Sequence, residues 1–347
     1  MISFYPGPSQ VHDRVAAYVR EAQLAGILSM NHRSPACMAL VKKTISVLKQ
    51  KLNVPKSYTV LFLSSATECW EVLAQSLVVE SSTHLYNGAF GKKWFSYTQA
   101  LKPGATAVVF HREEELPVAS YQGEVLCITQ NETSNGTQVS MPVLKKIRFQ
   151  NPHALLAIDA TSSMGGQVLD FSIGDVWFAS VQKCFGLPAG LAVMICSPRA
   201  VQRVQHLNER AHYNSLVNQL HFAANHQTTH TPNVLGIYLL YRVLQDSTAV
   251  QPIYKRLRQQ AATCYAQLTE AKNLQPLIQN PAVRSDTVIA VTASVAAIKR
   301  TKAKAKRARL LLGEGYGELK HSTFRVANFP AIKPAAFMQL LNVLKNS

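Results

Sequence analysis

Between about residues 15 and 200, short apolar runs alternate with stretches whose apolar residues recur at helical spacing. The runs cover 58–63, 105–110, 124–129, 154–158, 176–180 and 191–196. Each is too short for a helix and is bounded by turn residues, so each reads as a buried strand. Helices are predicted over 15–28, 37–52 and 68–79. A chain of this kind has few ways to bury its apolar faces. Strands separated by helices pair in parallel, and the helices cover the faces of the sheet. The expectation is an α/β layer fold with a mostly parallel sheet.

After about residue 200 the pattern changes. Residues 199–226 read as one helix, and Thr231-Pro232 opens a long apolar one, with proline in the first turn where its missing N–H costs nothing. Residues 250–347 read helix, strand, helix, strand, helix, with strands at 287–292 and 322–327. This predicts a large domain over 1–245, including an N-terminal arm, and a smaller C-terminal α+β domain over 246–347. The 347 residues suffice for both, since a chain of ~300 residues buries roughly 75% of its extended-chain surface.

Composition excludes several classes. With 47% hydrophobic and 16% charged residues the chain is not disordered. No apolar stretch approaches the ~18 residues of a membrane helix, because Arg242 interrupts the best candidate. The first residues lack the basic start and apolar middle of a signal peptide, so a cytoplasmic protein without membrane association is expected. The cysteines, at 37, 69, 127, 184, 196 and 264, show no metal-ligand spacing. They read as reduced thiols in a core, and no metal is expected. The net charge of +17 is uneven, with seven cations in the eleven residues 299–309. No aromatics interleave that run, so a solvated helix face, or a field that attracts acidic metabolites, is expected rather than a nucleic-acid site.

In open parallel sheets, ligands gather at the carboxyl ends of strands. After Leu63 comes Ser64-Ser65-Ala66-Thr67-Glu68, small residues running into a helix N-terminus, which suits an anion. After Thr129 comes a polar cluster over 130–136, and after Ile158 comes Asp159. A carboxylate ending so apolar a strand needs a cation or donor partner. After Ser180 comes Lys183, flanked by Val181, Cys184 and Phe185. Desolvation there would lower its pKa and make it a better nucleophile. A lysine, a carboxylate and an anion cradle at neighbouring strand ends form the set that pyridoxal 5'-phosphate requires. The lysine forms a Schiff base, the aspartate meets the pyridine nitrogen, and the helix end holds the phosphate. Phe90, in Asn87-Gly88-Ala89-Phe90, is placed to stack on the ring.

Along nearly its whole length the chain resembles the phosphoserine aminotransferase group of the class V pyridoxal-phosphate aminotransferases, of fold type I. The resemblance is carried by Tyr5-Pro6-Gly7-Pro8, Asn31-His32-Arg33-Ser34, Asn87-Gly88-Ala89-Phe90, Asn131-Glu132-Thr133, Asp159 with Ser162-Ser163, Gln182-Lys183 before a Gly-Pro turn, and Thr231-Pro232. It implies roles by position. Lys183 is the Schiff-base lysine and proton carrier, and Asp159 the partner of the ring nitrogen. Phe90 stands where relatives typically have Trp. Thr133 meets the ring hydroxyl, while Ala66, Thr67 and Gln182 meet the phosphate. His230 and Thr231 reach the phosphate of a neighbouring subunit, which implies a homodimer with shared sites. Arg325 grips the substrate α-carboxylate. His32 and Arg33 meet its distal acidic group.

The resemblance implies transamination between phosphoserine, or another acidic amino acid, and a 2-oxo acid, foremost 2-oxoglutarate. A place in serine biosynthesis would follow. One stretch departs from the pattern. Relatives carry a His-Arg pair shortly before the last arginine, whereas this chain reads Gly317-Glu318-Leu319-Lys320-His321. Glu68, beside the anion cradle, would also repel phosphate unless it points away. A class V aminotransferase of alanine–glyoxylate or serine type therefore stays open, as does a non-catalytic protein of the same fold.

Overall fold

The computed structural model describes residues 1–347. Its larger sheet has seven strands: β2 (Thr59–Leu63), β3 (Ser82–Tyr86), β4 (Ala105–Val109), β5 (Val125–Thr129), β8 (Leu155–Asp159), β9 (Val176–Ser180) and β10 (Ala192–Cys196). Their order is β2-β10-β9-β8-β5-β3-β4, and β10 alone runs antiparallel to its neighbours. Helices α1 (Val15–Leu24), α2 (Pro35–Leu52), α3 (Ala66–Leu77), α4 (Ala89–Leu101), α5 (Met141–Gln150), α6 (Pro198–Leu207), α7 (Leu216–Ala223) and α8 (Val234–Asp246) belong to the same part of the chain. Between β5 and β8 lies a short hairpin, β6 (Asn131–Glu132) with β7 (Thr137–Gln138). The apolar core splits into two layers. One holds Leu126, Ile128, Leu156, Ile158 and Trp177; the other holds Cys127, Ala157, Phe178 and Met194. Alternate residues of the same strands face opposite layers, as the period of two requires.

A second sheet has the order β1-β13-β14-β12-β11, made from β1 (Ile2–Phe4), β11 (Gln275–Pro276), β12 (Val288–Thr292), β13 (Leu310–Glu314) and β14 (Thr323–Ala327). Helices α9 (Val250–Glu270), α10 (Val295–Arg307) and α11 (Pro334–Lys345) accompany it. Its own core contains Phe4, Val291, Phe324, Phe329 and Phe337. The N-terminal arm thus supplies an edge strand, paired in parallel with β13, to the sheet formed mainly by the last hundred residues.

The α/β class and the mostly parallel sheet are as expected, with local differences. The single helix predicted over 199–226 is two, because Asn208 takes a left-handed conformation (φ 47°) that closes α6. Pro232 precedes α8 instead of opening it. The cap is Asn233, whose side chain accepts the Gly236 N–H at 2.8 Å. Strands β3 and β13 were not anticipated. All six cysteines are free and buried, and no helix is long and apolar enough to cross a membrane.

Candidate active site

The carboxyl ends of β5, β8 and β9 converge on a cavity of about 210 Å³. Ala66, Thr67, Phe90, Thr133, Asp159, Gln182, Lys183 and Arg325 all line it. Parallel pairing explains the convergence: Thr129 is in register with Asp159, and Asp159 with Phe178, so β5 and β8 end at one level and β9 runs two residues beyond it.

Lys183 is 7% exposed. Its Nζ donates to Thr133 Oγ1 at 2.8 Å and to Ser162 Oγ at 3.0 Å. It stands 5.2 Å from the centre of the Phe90 ring. Burial lowers its pKa to about 8, with Asp159 and Glu132 opposing the shift. The turn that carries it is clamped by the N-terminal segment: Ser9 N donates to Gln182 O at 3.1 Å, and His12 N to Gly186 O at 2.7 Å. Gly7 passes directly over the lysine, where a Cβ would come within 2.8 Å of Lys183 Cε. Its φ of +151° is one that glycine adopts without strain, and a side chain there would crowd the lysine.

Asp159 is 5% exposed and both its oxygens are used. Thr161 N donates to Oδ1 at 2.9 Å and Trp70 Nε1 to Oδ2 at 3.1 Å. Burial nevertheless raises its pKa, against the pull of Thr161, Lys183 and Trp70. A cationic N–H facing this carboxylate would offset the cost of its burial.

At the start of α3, Ser65 Oγ accepts Glu68 N at 3.0 Å, and the Glu68 carboxylate turns back to accept Ser64 N at 2.7 Å. This reciprocal cap keeps Glu68 out of the cavity wall and turns its carboxylate away from the cavity. The Ala66 N–H, expected to face a phosphate, donates instead to Ser180 Oγ at 2.8 Å. Thr67, Gln182 and the dipole of a twelve-residue helix remain on the wall.

Arg325, 7% exposed, points in from β14 of the second sheet. Its Nε donates to Glu314 O and its Nη1 to Thr133 O, both at 2.8 Å. Two backbone carbonyls thus fix the plane of the guanidinium. The Tyr316 ring lies 5.3 Å from its central carbon and 4.9 Å from the Phe90 ring.

His32, Arg33, His230 and Thr231 do not line this cavity. Arg33 donates to Gln227 Oε1 at 2.7 Å and lies over the Phe222 ring at 4.5 Å. Burial, with the nearby charges of Arg33 and His230, lowers the His32 pKa, so these three lie near one another. Sequence reasoning missed Trp70, Ser162, Ser180, Glu132 and Tyr316 as parts of the site. Glu132 is 1% exposed; its carboxylate accepts Phe90 N and Gly91 N, each at 3.1 Å, and Ser134 N at 2.9 Å. It fixes the approach of Phe90 to the cavity.

These residues fit pyridoxal phosphate. A near-neutral amine faces the same cavity as a buried carboxylate that lacks a cationic partner, a helix N-terminus and an aromatic face. The family model described as Aminotransferase class-V matches residues 114–307. The phosphoserine aminotransferase of Rhodococcus opacus (strain B4) is 28% identical over 346 residues, covering 96% of this chain and 91% of that protein. That of Corynebacterium glutamicum (strain R) is 27% identical over 340 residues, covering 94% and 89%. Among solved structures, a phosphoserine aminotransferase from Cytophaga hutchinsonii superimposes with a TM-score of 0.93 at 31% identity, covering 100% of this chain and 98% of that one. An aspartate aminotransferase from Thermus thermophilus shares the fold, with a TM-score of 0.87 at 20% identity over 100% of this chain and 98% of that one. What the lysine, the carboxylate and the helix end imply one by one, the matched family states for the whole chain: it belongs to the class V aminotransferases, enzymes of fold type I whose cofactor is pyridoxal phosphate.

Proposed function

We propose that the enzyme moves the amino group of an acidic donor, phosphoserine foremost, to a 2-oxo acid, 2-oxoglutarate foremost, with a place in serine biosynthesis in the cytoplasm. The observation that carries this reading is the fixed guanidinium of Arg325 in the same cavity as Lys183. The likeness to phosphoserine aminotransferases over 94–96% of the chain supports it.

Bound pyridoxal phosphate supplies a carbonyl for the donor's nitrogen and a ring that holds the charge left at the donor's α-carbon. Lys183 would hold the cofactor covalently, and its Nζ is the amine placed to take the donor's α-proton and to return it. An amine with a pKa of about 8 suits both directions near neutral pH. Thr133 and Ser162 aim that amine. Asp159, steadied by Trp70 and Thr161, would hold the ring nitrogen. Thr67 and Gln182 would hold the phosphate, the Ala66 N–H being committed to Ser180, and Phe90 would offer its face to the ring. Arg325 would grip the α-carboxylate through the N–H groups that its two backbone partners leave free.

His32, Arg33, His230 and Thr231 serve the neighbouring protomer's site in a homodimer. Their position outside the cavity of their own chain supports that assignment. One observation keeps a second reading alongside. Lys320 and His321 are exposed and line no part of the cavity, so the expected distal pair is missing, which favours a class V enzyme with a smaller donor of alanine or serine type.

A half-reaction screen decides. The purified holoenzyme is mixed with phosphoserine, glutamate, aspartate, alanine and serine in turn, and the visible absorbance of the cofactor is followed. Rapid loss with phosphoserine and glutamate is expected. Loss with alanine or serine alone would replace the proposal by the second reading, and loss with none would remove it.

A further inference from the structure

The second sheet sends one cation and one aromatic ring into the catalytic cavity, Arg325 from β14 and Tyr316 from the turn after β13. The Arg325 guanidinium donates to two backbone carbonyls, from Nε to Glu314 O and from Nη1 to Thr133 O. A guanidinium is planar, and its N–H groups point outward in that plane. Two such bonds fix its direction within the plane. They restrain rocking about the line that joins them far less. That tilt matters, because a carboxylate held by two parallel N–H···O bonds must share the plane of the donors.

Only a contact on the face of the group resists rocking, and Tyr316 supplies one. Arg325 Cζ lies over its ring, 5.3 Å from the centre, within the range of a cation–ring attraction. The ring is itself held from two sides. On one, the Phe90 ring lies 4.9 Å away with 30° between the planes, and Phe90 is tied down by its N–H to the Glu132 carboxylate at 3.1 Å. On the other, the turn that carries Tyr316 is closed: Leu319 N donates to Tyr316 O at 3.1 Å, and Thr323 Oγ1 to Leu319 O at 2.7 Å. Gly315 packs so closely there that a Cβ would come within 2.3 Å of Leu319 O. Lys183 Nζ stands 5.2 Å from the centre of the Phe90 ring. Lys183, Phe90, Tyr316 and Arg325 thus form one chain of contacts, with the two cations at its ends.

We infer that Tyr316 is a positioning residue. Its ring, not its hydroxyl, sets the tilt of the Arg325 guanidinium and so the plane in which a substrate α-carboxylate is received. The inference rests on the carboxylate role given to Arg325 above. It holds for any amino donor, since every donor brings that carboxylate.

The test is equilibrium binding to the holoenzyme of glutarate, an unreactive dicarboxylate, and of glutaramide, its uncharged counterpart. The ratio of the two affinities measures carboxylate recognition. Tyr316→Leu lowers the ratio about fivefold, whereas Tyr316→Phe, which keeps the ring, stays within about twofold of wild type. Arg325→Gln lowers it further than Tyr316→Leu. Should the leucine variant fail to fold, Tyr316→Gln carries the same expectation. A ratio that falls in Arg325→Gln but not in the ringless Tyr316 variants overturns the inference and leaves the role of Arg325 standing. So does an equal loss of both affinities in those variants, which marks a general loosening, or an equal fall in Tyr316→Phe, which assigns the effect to the hydroxyl. A ratio unchanged in Arg325→Gln removes the carboxylate role itself, and the inference with it.

Discussion

Replacing Trp70 by Phe isolates one hydrogen bond at the heart of the site. The indole N–H reaches Asp159 Oδ2 at 3.1 Å, one of two donors that hold a carboxylate only 5% exposed. A hydrogen bond to a charged acceptor contributes ~1.5–3 kcal/mol, against ~1 for a neutral one, so its loss disfavours ionisation of Asp159 by about 0.5–2 kcal/mol. At 1.36 kcal/mol per pH unit this raises the Asp159 pKa by about one unit, beyond the rise that burial already causes. The ionised carboxylate is the form that would pair with a protonated ring nitrogen of the cofactor, as proposed above. Cofactor affinity that depends on it is present above the Asp159 pKa and lost as pH falls through it. In Trp70→Phe that fall should therefore move up by about one pH unit. Titrating apoprotein with pyridoxal phosphate at a series of pH values, from neutral downward until affinity is lost, measures it. The control is Trp94→Phe. Trp94 is equally buried and stacks on Trp70 at 6.3 Å, but its Nε1 donates to nothing. It suffers the same loss of ring volume, and the cofactor's own titrations cancel in the comparison. Identical pH profiles for the two variants would refute the role given to the indole.

Two further outcomes follow from the same geometry. The Lys183 pKa of about 8 against 10.5 unfolded means that the unfolded apoprotein binds a proton that the folded one releases. Stability of the apoprotein should therefore rise as pH increases from about 8 to 10.5, by up to ~3 kcal/mol, and denaturant titrations of Lys183→Met should lack that rise. Sharing of sites between protomers is checked by mixing inactive Lys183→Ala with inactive Arg33→Ala: reassortment should restore roughly a quarter of wild-type activity, and no recovery would place Arg33 outside the partner's site.

The strand ends that carry the chemistry were legible because apolar runs of five residues, closed by Asp159 or followed by Lys183, have few other readings. Strand β3 was hidden by its composition. Ser82, Thr83 and His84 look like a loop, yet all are buried between two parallel neighbours, and Thr83 Oγ1 bonds with Thr106 Oγ1 at 3.0 Å. Trp70 was missed because a tryptophan on the apolar face of a helix looks the same whether its N–H is idle, as in Trp94, or bonded to Asp159. Only the tertiary structure separates the two. Glu68 shows the reverse case: its charge suggested repulsion, while a bond four residues back along the chain turns it aside. The position of Arg325 across from Lys183 could be carried only by resemblance, since 142 residues separate the two in the chain.

The first strand lies in the sheet built mainly by the end of the chain, so the backbone bridges the two sheets twice, once near Gly7 and again between α8 and α9. The first crossing runs past the aliphatic stem of Lys183, and the sheet that it joins carries Arg325. Further ties between the two sheets, Arg325 to the Thr133 carbonyl and Thr287 to the Ser162 carbonyl, lie around the same lysine, so the two sheets are sewn together where the reactive nitrogen stands.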